Sequence, residues 1–353
     1  MSVAQTPSVP GHRAVANWLL FCAGMVFAMA IIGAITRLTE SGLSITEWKP
    51  ITGTIPPLNE AQWLAEFEKY KQIPEYQVLK RGMSLDEFKQ IFFWEWFHRL
   101  WGRLIGVVFA VPLVWFAVKG MVTRQMLPRL VGLFLLGGLQ GFIGWFMVQS
   151  GLSERTDVSH YRLALHLGMA LFLYALLVQA GLDLRHPQAR RHPERAGLVR
   201  LGRVSLALVA VTVIWGAFVA GLDAGLAYNS WPLMNDAFAP PEIWNLRPVW
   251  LNIFENTAMV QFIHRWLAIL TAGVTVAYCW RIGQRTDVPA VAKRAALWLM
   301  LGIGGQVVLG ITTLLHAVPV ALGAAHQGGA LIVITLLIRS LHTLRRHADD
   351  RHV

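Results

Sequence analysis

Glu95-Trp96-Phe97-His98-Arg99 returns as Gln261-Phe262-Ile263-His264-Arg265 in the second half of a 353-residue chain. Each copy places a histidine and an arginine near the start of a long apolar run. Upstream, Gly33, Ala34, Glu40, Gly42, Leu43 and Trp48 align without a gap on Gly216, Ala217, Asp223, Gly225, Leu226 and Trp231. Downstream, Gly138, Gln140 and Gly144 match Gly304, Gln306 and Gly310, and then His166 and Gly168 match His326 and Gly328. No single match carries weight, because small and apolar residues recur in any membrane helix. Their common order in both halves reads as an internal duplication.

The composition sets the solvent. The chain is 55% hydrophobic and 14% charged, against about 25% charged for an average soluble domain. Apolar stretches of roughly 20 residues, the length that crosses a bilayer core as a helix, fall at about 17–36, 92–118, 129–150, 160–182, 201–220, 258–280, 293–315 and 319–341. The opening segment is too short and too neutral for a transit peptide and lacks a convincing cleavage site, so the first span is read as a retained helix. Each half holds an even number of spans, so both enter the membrane from the same side, as parallel repeats. The expected fold is an all-α integral membrane protein with eight transmembrane helices in two four-helix bundles, related by a pseudo-twofold axis along the membrane normal. Residues 1–182 form the first bundle with a long outer loop (37–91), 183–200 a basic connector, and 201–353 the second bundle.

The net charge of +11 is a topology signal and gives no reason to expect nucleic acid. Lys119, Arg124 and Arg129, then Arg185, Arg190, Arg191, Arg195, Arg200 and Arg203, then Arg281, Arg285, Lys293 and Arg294, then Arg339, Arg345, Arg346 and Arg351 crowd into alternate loops. The loops between them are acidic or nearly uncharged, with Glu154 among their carboxylates. This positive-inside pattern puts both termini in the cytoplasm and makes the lipid bilayer, with its anionic headgroups, the first partner. The two cysteines, Cys22 and Cys279, both fall inside spans and read as small apolar packing residues.

Of twelve histidines, four lie within spans and repeat between the halves: His98, His166, His264 and His326. Each sits roughly six residues, about 9 Å, beyond the start of a helix entering from the outer face. A lone membrane histidine is as readily explained by a bond to a neighbouring carbonyl. Four at one depth, in duplicated positions, point instead to pairs of imidazoles ligating haem iron from both faces. A zinc site would want further ligands in each half. Glu95 shares a helix face with His98 one turn on, and its counterpart is Gln261. A carboxylate exchanges protons and an amide does not, so the first-half site is expected to do chemistry and the second to hold a cofactor; the bland reading of Glu95 is a solvated headgroup-level carboxylate. Arg99, Arg103 and Arg265 suit haem propionates and phosphate headgroups equally. In the long outer loop, residues 60–72 read as an amphipathic surface helix with Trp63, Leu64 and Phe67 on one side. Ser84-Leu85-Asp86-Glu87 reads as a capping box that starts the His98 helix outside the membrane.

These residues resemble heme A synthase: Glu95 to Arg99, His166-Leu167-Gly168, Gln261 to Arg265, His326-Gln327-Gly328, and the outer segment Thr36 to Pro50 with Pro56-Pro57. The resemblance covers about residues 15–341, and the long first outer loop without cysteines is similar to the branch shared by proteobacteria and mitochondria. It implies an inner-membrane oxidoreductase acting on a methyl group, one that converts the C8 methyl of heme O to a formyl group by two hydroxylations and loss of water, giving heme A for terminal oxidases. It implies that His264 and His326 hold a permanent haem b, that His98 and His166 receive the iron of the substrate heme O, and that Glu95 is the essential carboxylate. It also implies a heme O synthase (protohaem farnesyltransferase) as supplier and a separate electron-transfer protein, since the chain carries no flavin, iron–sulfur or nicotinamide motif. Self-association as a homo-oligomer stays open. Two competing readings are a di-haem b-type electron-transfer cytochrome, which leaves the Glu95/Gln261 difference without a role, and a transporter built on parallel repeats, which requires no porphyrin.

Overall fold

The computed structural model describes residues 11–49, 51–153, 155–186 and 192–345. Pro50, Glu154, Arg190, Arg191, Arg346 and Arg351, named above, lie outside the described residues. The elements in chain order are α1 (His12–Leu38), α2 (Glu60–Tyr70), α3 (Pro74–Leu79), α4 (Leu85–Val118), α5 (Leu127–Ser153), α6 (His160–Arg185), α7 (Ala196–Gly221), α8 (Asn252–Glu255), α9 (Thr257–Gln284), α10 (Ala290–Leu315) and α11 (Val320–Thr343). Eight are long and apolar enough to cross a membrane: α1, α4, α5, α6, α7, α9, α10 and α11. No strand occurs among the described residues.

Local chemistry sets several helix starts. The Ser84 capping box is formed, with the Ser84 side chain on the Glu87 N–H and the Glu87 carboxylate on the Ser84 N–H. It starts α4 well before its apolar run. Asn59 and Asn256 cap α2 and α9 through their side-chain oxygens, which satisfies N–H groups that the first turn leaves without partners.

Between helices surrounded by lipid, the apolar effect gives little preference for one neighbour over another, so close packing and hydrogen bonds decide. The main core draws on all eight long helices, among them Leu19, Phe109, Leu130, Leu177, Val209, Tyr278, Leu299 and Leu337. The Trp18 and Trp101 indoles donate to the carbonyls of Val108 and Met25, both at 2.9 Å, and fasten α1 to α4. Within the first half α1 packs on α4 and α6, and α5 on α6; within the second, α7 packs on α9 and α11, and α10 on α11. Between the halves α6 meets α7, α1 meets α11, and α6 meets α11. Tyr174 and Thr335, 2.6 Å apart, bond α6 to α11, and the Gln327 amide donates to the Ala30 carbonyl at 2.6 Å. At the end of the bundle that carries the long 37–91 loop, the Arg37 guanidinium reaches Asp157 at 2.8 Å, the Ala220 carbonyl at 2.9 Å and Asp223 at 3.1 Å. At the other end Arg195, sequence-read as a loop charge, is buried and donates to the carbonyls of Leu344 and Asp287. Large apolar side chains such as Val111, Trp115, Phe172, Trp298 and Val308 face outward, as a lipid-facing surface requires. Cys22 and Cys279 are buried and free.

The long outer loop has a small core of its own. Phe67, Tyr70, Ile73, Phe88 and Phe92 pack with Leu43 and Val158, and Phe67 stacks on Phe88 at 4.8 Å. Trp63 joins against Phe92, while Leu64 is exposed, so only part of the anticipated apolar face of α2 is used. Glu75 on α3 is 4% exposed. Burial pushes its carboxyl up to about 8, against the pull of Lys80, with Asp157, Glu40 and Glu95 adding repulsion. A raised carboxyl binds its proton more tightly folded than unfolded, so its contribution is present in full below about 4.5 and is lost as pH rises toward 8. Glu75→Gln keeps the neutral form at every pH. It is expected to melt several degrees above the parent at pH 8 and to match it near pH 4.5, measured by thermal unfolding in detergent.

Candidate functional site

The four repeated histidines lie on α4, α6, α9 and α11, and all are half-buried. His166, His264 and His326 sit about two turns into their helices. His98 lies about two turns deeper along α4, because the capping box starts that helix at Leu85, ahead of its apolar run. His98 and His166 are within electrostatic range of one another, as are His264 and His326. Among the described residues no three His, Cys, Asp or Glu side chains converge as a metal-binding group, so each half offers a pair of imidazoles.

Each ring lies against a glycine of the neighbouring helix. A Cβ on Gly144 would stand 2.9 Å from His166 Cε1, and one on Gly310 2.7 Å from His326 Cε1. A Cβ on Gly33 would stand 3.2 Å from His98 Nε2, and one on Gly216 3.2 Å from His264 Cε1. These are four of the glycines matched between the halves, and the rings explain why no larger residue stands there. Gln140 and Gln306 accompany them: their amide Nε2 atoms lie 3.1 and 3.2 Å from Nδ1 of His166 and His326. The Oε1 atoms of Gln140 and Gln306 are buried without a hydrogen-bond partner. Paired imidazoles, glycine cradles and spare polar atoms around the rings fit bis-histidine ligation of haem. Gly310→Ala is expected to displace the His326 ring and weaken haem retention about 10- to 100-fold, read as Soret absorbance per chain, with Gly216→Ala milder.

Glu95 is not a solvated carboxylate. It is 3% exposed. Its Oε2 accepts from Ser44 Oγ and the Ile45 N–H, both at 2.7 Å, and its Oε1 accepts from Arg99 at 2.6 Å. Gln261, 2% exposed, accepts from Arg265 at 2.8 Å and donates to the Ala224 carbonyl at 2.6 Å. The Glu/Gln difference therefore also answers to the loops: donors face Glu95, and a carbonyl faces Gln261.

The arginines serve a purpose the sequence did not disclose. Arg99 donates to the carbonyls of Ile45 and Glu47 at 2.9 and 3.1 Å. Arg265 donates to those of Tyr228 and Ser230. The register that sets Gly33 on Gly216 also sets Ile45 on Tyr228 and Glu47 on Ser230, so the two clamps correspond. Glu40 and Asp223, aligned in the same register, both take left-handed backbone, with φ of 50° and 48°. Arg103 donates to the Lys49 carbonyl at 2.8 Å. All three arginines hold outer-loop backbone over the histidine sites. Arg99, Arg103, Lys49, Glu47, Glu66, Trp96 and Phe92 line a cavity of about 390 Å³ between the loop and α4.

Comparison with known proteins places this arrangement. The family described as cytochrome oxidase assembly protein matches residues 16–338. A heme A synthase of Rhodospirillum centenum is 64% identical over 338 residues, 96% of this chain and 90% of that protein. A heme A synthase of Parvibaculum lavamentivorans is 48% identical over 335 residues, 95% of each chain. One of Nitrosospira multiformis is 44% identical over 356 residues, 98% of this chain and 100% of the other.

Proposed function

The chain belongs to the cytochrome oxidase assembly family that contains the heme A synthases, and from that premise we propose how its two histidine pairs divide the work of making heme A for cytochrome oxidase. The enzyme acts on heme O. The substrate's iron is taken by His98 and His166 in the first half, and its C8 methyl is oxidised to a formyl group by two successive hydroxylations followed by loss of water. Each hydroxylation is a two-electron oxidation of the methyl carbon: with water supplying the oxygen, R–CH3 and H2O give R–CH2OH, two protons and two electrons, and the electrons pass to a separate electron-transfer protein. His264 and His326 hold haem b, which supplies a one-electron relay when bound. Heme O, with its farnesyl tail, reaches the site from the bilayer after release by a heme O synthase. The clustering of basic residues in alternate loops supports an inner-membrane, multi-pass placement with both termini cytoplasmic and the haem sites toward the periplasm.

The observation that carries the division is the pairing of Glu95 with Gln261 inside otherwise matched surroundings. Both are buried and both are gripped by an arginine one turn on, but only the first has a group that can take up and release a proton. Glu95 holds that proton-exchanging position one turn from His98, kept out of water by Ser44 and Ile45. Arg99 fixes its direction and balances its charge. The outer loop, clamped by Arg99 and Arg103, limits access of water from that side.

The test is expression with and without a heme O-producing farnesyltransferase, followed by chromatography of extracted haems. Heme A, or its hydroxylated precursor, is expected only when heme O is made. Unchanged heme O in the presence of the intact protein and its electron-transfer partner would sink the synthase reading.

A further inference from the structure

Arg294 and Arg339 count among the basic residues of the alternate loops, yet both stand on helices, Arg294 one turn into α10 and Arg339 one turn before the end of α11. α10 packs on α11, and the two arginines flank the groove between them. With Val291, Ala295, Trp298 and Leu336 they line a cavity of about 250 Å³. Several other cations at this end of the bundle are engaged: Arg285 pairs with Asp287, Arg129 and Arg345 pair with Asp183, and the buried Arg195 donates to carbonyls. Among the described residues Arg294 and Arg339 have neither an ion pair nor a hydrogen bond, and no carboxylate lines the cavity with them. Two like charges facing one cavity repel unless an anion lies between them. The deeper wall is apolar. Trp298 follows Arg294 by four residues on the same face of α10, and it is 60% exposed. Leu336 and Ile332 share the Arg339 face of α11, and Ile332 is exposed. Gly302, one turn beyond Trp298, lets Leu336 lie close: a Cβ there would stand 2.8 Å from Leu336 Cδ1. The groove thus runs from two guanidiniums near the helix ends to apolar side chains toward the middle of the bilayer.

We propose that this groove binds one anionic phospholipid, with its phosphate between Arg294 and Arg339 and an acyl chain along Trp298, Leu336 and Ile332. A guanidinium presents its N–H donors in a plane that matches two phosphate oxygens. Two of them neutralise a phosphodiester and leave positive charge over, which favours a headgroup with no cation of its own. A phospholipid carries its charge and its hydrocarbon in the same order as the groove does, and basic pockets between membrane helices suit anionic headgroups. A free phosphate would meet the arginines and leave the apolar wall unused. An arginine that only reaches up to the headgroup plane needs no second arginine across a cavity. The groove lies at the end of the bundle away from the 37–91 loop, about 20 Å along α11 from His326, and the proposal is independent of what the histidines ligate.

The test uses the purified full chain, stripped of lipid in detergent and titrated with dioleoyl phosphatidylglycerol, dioleoyl phosphatidylcholine or inorganic phosphate. Bound lipid per chain is read by native mass spectrometry. Arg294→Gln and Arg339→Gln are each expected to weaken retention of the first phosphatidylglycerol about 5-fold, and the two together about 25-fold. Arg200→Gln with Arg203→Gln removes the same charge from exposed positions on α7 at the same end and is expected to match the parent. Arg294→Lys with Arg339→Lys keeps the charge and is expected to retain the lipid more tightly than the glutamine pair. Phosphatidylcholine, with no net charge, is retained less than phosphatidylglycerol by the parent, and inorganic phosphate does not displace the lipid. Parent-like retention in the Arg294/Arg339 glutamine pair overturns the proposal. So does an equal loss in the α7 pair, which would assign the effect to surface charge at large, or an equal loss in the lysine pair, which would separate retention from charge. Displacement of phosphatidylglycerol by an equal concentration of phosphate would make the groove a site for a free anion and overturn the lipid assignment.

Discussion

His326→Ala, purified as the full chain, is expected to lose its haem b: the Soret band of the second half falls by at least about 100-fold in occupancy at matched haem concentration. His264→Ala behaves in the same way. The reason is geometric. A haem held by two imidazoles from facing helices has no third ligand to fall back on, since no further His, Cys, Asp or Glu converges on either pair among the described residues. Nor is the effect expected to arise from collapse of the bundle. α11 is held apart from the ring by its own contacts, with Tyr174 and Thr335 bonding it to α6, Tyr278 and Ser340 at 3.0 Å bonding it to α9, and Gln327 bonding it to α1. On the proposed division of the halves, His98→Ala and His166→Ala are expected to leave the haem b band in place and abolish turnover of heme O. Loss of the haem b band in the first-half variants, with the second-half variants unaffected, would reverse the assignment of the halves.

Glu95→Gln carries the second large effect. Product formation is expected to fall about 100- to 10,000-fold, the range for loss of a positioned proton-transfer group, while haem b remains bound. The substitution copies the residue at the aligned position of the second half, so its size is tolerated there. Its surroundings differ, however. The amide would face Ser44 Oγ, the Ile45 N–H and Arg99, all donors, and would leave the part-buried guanidinium without its ionic partner, a change that costs less than the about 3–5 kcal/mol of a fully buried pair. Haem b content and a thermal melt are therefore measured beside activity. A melt lowered by several degrees with heme A still formed at the parent rate would assign Glu95 to the loop clamp alone.

The parts that were legible in the sequence are those written in side-chain identity. Run length and charge bias located the eight long helices to within a few residues, and Ser84 with Glu87 announced the early start of α4 because both halves of the capping box are side chains. The histidines and their matched glycines stood out for the same reason, although what the glycines do required knowing which helix lies beside which ring. The clamps were hidden. Arg99 and Arg265 spend their donors on main-chain carbonyls of Ile45, Glu47, Tyr228 and Ser230, and a carbonyl leaves no letter in the sequence. Weighing propionates against headgroups left out the loop backbone that occupies the arginines. The Glu95/Gln261 difference was weighed only between chemistry and a solvated carboxylate, because the Ala224 carbonyl that calls for an amide on one side was not visible. Glu75 was read as one more loop carboxylate, and its burial and the short α3 gave no signal: six residues opened by a proline carry too little periodicity to stand out, and the carboxyl is buried only because the long loop folds back on α5.

The central claim is that one chain holds two haems in matched histidine cradles and changes only one of them. The measurement that meets it most directly is the amount and type of haem extracted from the protein purified from cells that make heme O. The account predicts protohaem together with heme O, its hydroxylated derivative or heme A on the same chain, with the protohaem lost in His326→Ala and the farnesylated haem lost in His98→Ala. Protein that folds with all eight helices intact and carries no porphyrin, or carries protohaem alone in both cradles, would contradict it.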